Sequence, residues 1–246
     1  MVGAPVVPIE EIAGHADLIF LTVPDDAIGS VAIAIAQQND LSSRGFLHTS
    51  GAHDSTLLDA LAARGACVGS LHPAFPFADV DLAIHALPGS TFALEAVETP
   101  LVAWARELVA ALEGQLLVLP SGSKPLYHAA LVLASNYTVT LYAQAQLLLL
   151  GLGASPHVAD AALDALVGGT VQNLRQRGIP DALTGPLVRG DLGTIEAHLE
   201  ALTREAPDIA QLYIQLARLT FPMLAARGHD TAPIAALLGG FAAHQE

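Results

Sequence analysis

The sequence predicts an α/β half built on a mostly parallel sheet, followed by an all-α half. Three observations predict it. Up to Pro120, short apolar runs bounded by turn residues alternate with helical patterns, as in a parallel sheet with helices on both faces. After Pro120 the strand signal stops and the periodic stretches have helical spacing. At the junction begins an uncharged stretch: from Pro125 to Pro156 there is no Asp, Glu, Lys or Arg, although the chain carries a net charge of −14. We therefore expect two domains, 1–120 and 121–246, meeting near Leu119–Lys124.

The strands are read in order. Asp17–Pro24 (DLIFLTVP) is an apolar run of the kind buried on both faces of a sheet. A helix over Asp25–Gln38 follows. Gly45–Ser50 (GFLHTS) is the second strand, after which either Asp54 or Ser55 caps a helix running to Arg64. Ala66–His72 is the third, and Thr91–Ala96 and Gln115–Leu119 are the last two, with a helix over Pro100–Glu113 between them.

The second half is organised around Tyr127–Leu150 (YHAALVLASNYTVTLYAQAQLLLL), which contains no Gly or Pro and reads as one long helix. At 100° per residue, His128, Ser135, Tyr142 and Gln146 form one polar stripe, and Asn136, Thr140 and Gln144 a second. A helix apolar on most of its surface is expected to be buried on all sides. A membrane span is the rival, but four polar side chains and the lack of a flanking basic loop argue against it. Further helices are expected over Pro156–Leu166, Gly169–Arg177, Leu192–Thr203 and Pro207–Arg227, with Gly178–Asp191 as a Gly/Pro-rich interruption.

Composition removes several function classes. Ten Lys+Arg against 24 Asp+Glu oppose a nucleic-acid partner. The single cysteine, Cys67, excludes an internal disulfide and fits a reducing cytoplasm. The N-terminal MVGAPVVPIEE has no basic region leading into an apolar core, so no secretion signal is expected. His48, His53 and His72 match no compact ligand spacing, and no metal is expected.

Candidate chemistry gathers at three strand ends and in two places of the helical half. Ligands collect beyond the carboxyl ends of parallel strands. Here those ends read Thr22-Val23-Pro24-Asp25, His48-Thr49-Ser50-Gly51 and Ser70-Leu71-His72-Pro73. Lys124, the chain's only lysine, lies four residues before His128, so either could protonate a carbonyl or imine from one helix face. The loop Leu183–Asp191 (LTGPLVRGD) offers Thr184, the flexible Gly185 and Arg189, whose fork suits a carboxylate or phosphate. Asp191 either orients Arg189 or caps the next helix.

LTVPDDAI, HTSGAH, GSLHPAFPFAD, KPLYHAALVLASNY and LTGPLVRGD, in that order and spacing, resemble a family of bacterial Rossmann-like proteins. Their C-terminal helical domain is catalogued as of unknown function. The family is similar to pyrroline-5-carboxylate reductase, ketopantoate reductase and the 6-phosphogluconate dehydrogenase-like group. The resemblance implies an NAD(P)-binding domain, a helical domain like the C-terminal domain of 6-phosphogluconate dehydrogenase that forms a homodimer, and a cleft between them. It implies that Thr22, Val23, Pro24, His48, Ser50 and Gly51 border NADP or NAD. Lys124, His128, Asn136, Arg189 and Asp191 would face the substrate, with His72, Thr184 and Gly185 added from the strand end and the loop. The proton donor stays open between Lys124 and His128.

The sequence departs from its relatives at the start. They begin with a strand, a G-x-G-x-x-G turn and a helix that holds the pyrophosphate. No such turn is present: Gly151-Leu152-Gly153 follows a helix and is a helix stop. Met1 corresponds to a point just before the relatives' third strand, Val6-Val7. The expectation is a miscalled start codon or a truncated form in which the cofactor site is open and Leu18–Val23 is an apolar edge strand. The primary reading is a cytoplasmic NAD(P)-dependent oxidoreductase-like protein reducing a small carboxylate-bearing carbonyl or imine. The alternative is a non-catalytic dimeric binding or scaffold protein that has lost the cofactor.

Overall fold

In the computed structural model, residues 5–37, 40–96 and 98–243 are described. Those up to Thr138 form one compact unit and those from Val139 a second.

The first unit begins with residues 5–8 in no regular element and a 3-10 turn over Ile9–Gly14. The expected Val6-Val7 strand does not form: both residues lie in no regular element, and Val6 is 99% exposed. Strand β1 (Leu18–Leu21) leads to helix α1 (Asp25–Ile35), then β2 (Gly45–His48), a 3-10 turn (Ser55–Leu58) and α2 (Asp59–Ala62). The predicted α1 end at Gln38 lies outside the described residues. Asp54 is the cap after β2, accepting from Thr56 N at 3.1 Å. Strand β3 (Cys67–Pro73) is followed by α3 (Val80–Ala86), which the sequence reading did not include, then β4 (Thr91–Glu95), α4 (Thr99–Ala111) and β5 (Gln115–Val118).

The sheet order is β1-β2-β3-β4-β5, with β1 at an edge. β1, β2 and β3 are mutually parallel, β3 and β4 antiparallel, and β4 and β5 parallel. Both faces are covered, as the two-sided apolar runs require. On one face Ile19, Leu21, Phe46 and Val68 pack with Ile28, Ala32 and Ile35 of α1 and with Leu58 and Leu61. On the other, Leu47, Leu71, Phe92 and Leu94 pack with Leu101, Ala105 and Val109 of α4. Gly45 has to be glycine there, because a Cβ would stand 2.7 Å from the Trp104 ring of α4.

The antiparallel entry of β4 has a consequence for the site. Register places His48 beside Ser70 and Ser70 beside Glu95. Neighbours in register share a face, so these three form one polar row across the α1 side of the sheet. All three are buried.

The long helix predicted over Tyr127–Leu150 is two helices, α5 (Lys124–Ala134) and α6 (Asn136–Gly151), divided at Ser135. Thr138 Oγ1 donates to Ala134 O across the break, a back-bond that bends helices. Nor are these helices buried on all sides. No residue of α6 is buried, and Lys124 alone is buried in α5.

The second unit continues with α7 (Pro156–Arg177), one helix where two were expected, since Gly168-Gly169 does not interrupt it. Tyr142 donates to Asp164 Oδ1 at 2.9 Å, and Gln146 bonds Asp160, so half of the first polar stripe serves packing of α6 on α7. The Gly/Pro-rich segment contains the single turn α8 (Pro186–Arg189). It is followed by α9 (Leu192–Glu205), α10 (Pro207–Ala226) and α11 (Ala232–Ala243), the last not foreseen. Ile195 and Leu199 of α9, Ile214 and Leu224 of α10, and Ile234 and Leu238 of α11 make this unit's core. Among the described residues no helix is long and apolar enough to cross a membrane.

Phe46 is fully buried, whereas Ile33 of α1 is 57% exposed. Phe46→Ala is expected to cost about 3–5 kcal/mol in urea unfolding, and Ile33→Ala less than about 0.5 kcal/mol.

Candidate active site

The candidate site grows out of the polar row on the α1 face. His48 ends β2 and is sealed in neutral form. Its Nδ1 accepts from Ser50 N at 3.2 Å, so Nε2 carries the proton and donates to Asp54 O at 2.9 Å. Burial holds its pKa below the usual histidine value. The chain then turns through Ser50, whose Oγ donates to Asp25 Oδ2 at 2.9 Å and accepts from the amides of Ala52 and His53. That hydroxyl joins the β2 end to the first turn of α1, beside Thr22, Val23 and Pro24.

Lys124 enters from the other side. Its ammonium is fully buried and donates to Ser50 O at 2.7 Å. It also stands 5.5 Å from the centroid of the Tyr127 ring, within cation–π range. Burial pulls its pKa down to about 8, with Glu95 and then Asp25 acting in the opposite direction.

His72 and His128 close the group over Gly51. A Cβ at Gly51 would lie 2.7 Å from His128 Nδ1 and 2.8 Å from His72 Nε2, so glycine is required for both rings to approach the backbone. His72 Nδ1 shares a 2.9 Å hydrogen bond with the Tyr127 hydroxyl. Burial, reinforced by the charge of Lys124, lowers the His72 pKa to about 4. His128 Nδ1 is buried without a hydrogen-bond partner. The ring of His128 lines a cavity of about 540 Å³, walled otherwise by Ala52, Pro125, Ala129, Val132, Leu133 and Tyr137.

The structure thus brings His48, Ser50, Gly51, His72, Lys124 and His128 into one cluster. Asn136 is exposed and opens α6, one helix on from Lys124 and His128. Thr184, Gly185, Arg189 and Asp191 form a separate group in the second unit. There Gly185 takes a φ of +100° before α8. Asp191 caps α9, accepting from Thr194 N at 3.1 Å and Thr194 Oγ1 at 2.8 Å. Arg189 is only loosely held by it, at 3.8 Å. Capping is therefore the main work of Asp191, and the guanidinium stays open to solvent.

Sequence reasoning missed Glu95 and Tyr127 as members of the cluster, and had Asp25 only as part of the first strand end. Glu95 is 3% exposed, and its two oxygens are divided: Oε2 accepts from Ser55 N at 3.1 Å and Oε1 from Gly122 N at 3.0 Å. One signal was available: a carboxylate ending the apolar run of β4 has no reason to be there unless it is paired. Among the described residues no group of three or more His, Cys, Asp and Glu could hold a metal ion.

A Rossmann-like domain profile matches residues 1–73. The profile "Domain of unknown function (DUF2520)" matches residues 90–220, more than half of the chain. The chain belongs to the DUF2520 family. Among solved structures it is similar to protein TM1727 from Thermotoga maritima, with 25% identity, TM-score 0.73, and 87% of this chain and 81% of that one covered. It is also similar to a Bacteroides fragilis protein assigned as an NADP oxidoreductase (22% identity, TM-score 0.64, 85% and 76% covered). A third likeness is to Plasmodium falciparum pyrroline carboxylate reductase with NADP bound (15% identity, TM-score 0.54, 86% and 78% covered). No curated protein matches at a significant level. This member of the family therefore has an NAD(P) oxidoreductase-like fold, an α/β Rossmann-like domain followed by helices.

Two outcomes are expected. Gly51→Ala should displace the His72 and His128 rings, seen as chemical-shift changes at both imidazoles. His72 titrates near 4 folded and about 6.5 unfolded, so between those values the unfolded chain binds the extra proton. Stability from this group is present above about 6.5 and is lost as pH falls to about 4. His72→Gln should flatten the fall in Tm across that window.

Proposed function

We propose that this protein is an NADP(H)-dependent reductase of a small carbonyl or imine, with His128 as the proton donor. The observation that carries this reading is the cavity beside the β2 end, where His128 is the only imidazole in a wall that is otherwise apolar apart from Tyr137. The likeness to NADP-dependent proteins supports the cofactor class.

The residues present fit one half of the dinucleotide. Near the β1 and β2 ends, the exposed Thr22 and the half-exposed His53 ring offer polar groups, and His128 Nδ1 is an orphaned buried nitrogen close by. These suit a nicotinamide riboside. The pyrophosphate half is not matched: α1 opens with Pro24-Asp25-Asp26, whose carboxylates oppose an anion at a helix N-terminus.

Reduction of a carbonyl or imine needs a hydride on carbon, which bound NADPH would supply, and a proton on oxygen or nitrogen. Lys124 is a poor choice for that proton because its ammonium is sealed and engaged by Ser50 O. His128 borders the cavity and is the better one. The hydrogen-bonded Tyr127–His72 pair packs edge-on behind it, 6.3 Å from ring centroid to ring centroid for His72 and His128. Lys124 then acts by holding the Ser50–Gly51 turn in place. The finer reading, a substrate that carries a carboxylate, is proposed from the chemistry of Arg189 alone, whose guanidinium fork suits that group.

We also propose a homodimer through a helical domain of the 6-phosphogluconate dehydrogenase C-terminal type. The exposed Leu141, Leu147, Leu152, Leu166 and Val171 support it, since a monomer rarely leaves so much apolar surface in water. The second reading, a dimeric binding protein without cofactor, is favoured by the acidic start of α1.

Assays of NADPH oxidation with cyclic imines and 2-oxo acids should detect turnover, and His128→Ala should lower kcat by about 10²–10⁴-fold. No NADPH binding by calorimetry and no oxidation would overturn the reductase and favour the binding protein. Light scattering should give twice the 25.4 kDa chain mass; a monomer would exclude the dimer.

A further inference from the structure

Glu95 has no role in the reading above, yet it is buried and its carboxylate touches two different loops. Ser55 N lies in the connection leaving β2, and Gly122 N in the connection entering α5. Lys124 starts two residues after Gly122 and reaches back to Ser50 O, in the same β2 connection as Ser55. The carboxylate and the ammonium therefore tie the same two segments together from opposite sides.

We propose that Glu95 is a positioning residue: by bridging the Ser55 and Gly122 amides it sets the start of α5, and so places the Lys124 ammonium on Ser50 O and His128 over Gly51. The geometry is specific to a carboxylate. Each oxygen accepts one amide, which a glutamine could do on one side only while its NH2 faced the second N–H. Proximity in sequence does not account for it, because Glu95 is 40 residues from Ser55 and 27 from Gly122. The antiparallel register of β4 brings it there.

Charge gives the arrangement a second effect. The groups facing Lys124 are Glu95 of β4, Asp25 of α1, His48 of β2, His72 of β3 and Tyr127 of α5 itself. Glu95 and Asp25 are the anions among them. Glu95 is the larger influence keeping the buried ammonium protonated, and Asp25 is already engaged by the Ser50 hydroxyl.

The chain's only lysine makes this directly measurable. With 13C-lysine in the full chain, the Cε resonance reports Lys124 alone and should titrate near pH 8. Glu95→Gln should lower that midpoint by about one pH unit, a tenfold change in the protonation equilibrium. Amide exchange at Ser55 and Gly122 should speed up at least about tenfold. Asp26→Asn, in the exposed first turn of α1, should change neither. Should Glu95→Gln not fold, Glu95→Asp keeps the charge and shortens the reach: the midpoint should stay near 8 while both amides lose protection. An unmoved midpoint in Glu95→Gln, an equal shift in Asp26→Asn, or full amide protection in Glu95→Asp would overturn the proposal. The catalytic consequence rests on the reductase reading, and there Glu95→Gln should lower kcat with KM unchanged. Lack of turnover in the wild type would count against the reductase and leave the titration result standing.

Discussion

A buried ammonium on a backbone carbonyl is the constraint from which the α/β unit's site follows. Taking the Lys124 charge out of water costs several kcal/mol unless partners replace its hydration. The partners are Ser50 O at 2.7 Å, the face of Tyr127, and the Coulombic influence of Glu95 and Asp25. Meeting those contacts obliges the β2 connection, the first turn of α1, the end of β4 and the start of α5 to converge. His72 and His128 are then brought against Gly51 because no side chain intervenes. The pKa values of His72 and His48 are both held down first by burial, with the Lys124 charge adding to it.

The sheet makes this convergence possible by changing direction once. Strands β1 to β3 place their polar ends side by side, as parallel strands do. Because β4 runs antiparallel to β3, the carboxylate at its end joins the same row as His48 and Ser70. The mixed sheet is thus part of the site's construction.

The helical unit obeys a different balance. Its core is provided by α9, α10 and α11, while α6 and the flanking part of α7 keep large aliphatic side chains in water. Two of the polar residues that α6 contributes to the stripes are spent on α7: Tyr142 on Asp164 and Gln146 on Asp160. The hydrogen bond to Asp164 adds to desolvation in raising the Tyr142 pKa to about 12. These exposed aliphatic side chains are the surface on which the proposed homodimer rests.

Much of this was legible from local pattern. Apolar runs such as Leu18–Leu21 and Gly45–His48 announce strands because a two-sided burial needs no polar alternation. The meeting of His48, Ser50 and His72 could be read too, since parallel strands deliver their ends to one edge. Other features were beyond such reading. Whether Tyr127–Leu150 is one helix or two turns on a back-bond from Thr138 and on packing that periodicity does not encode. Val6-Val7 carries β propensity but pairs with no strand among the described residues, and propensity is overruled by pairing. Glu95 is the clearest case: its type and position are visible in the sequence, but its partners at Ser55 and Gly122 are distant along the chain. What the sequence determined by itself is which segments form strands and helices and which polar residues stand at their ends. Tertiary structure alone decided that one carboxylate, one ammonium and two imidazoles gather in one cluster, because strand register and the placement of α5 bring together residues far apart in the chain and local chemistry does not.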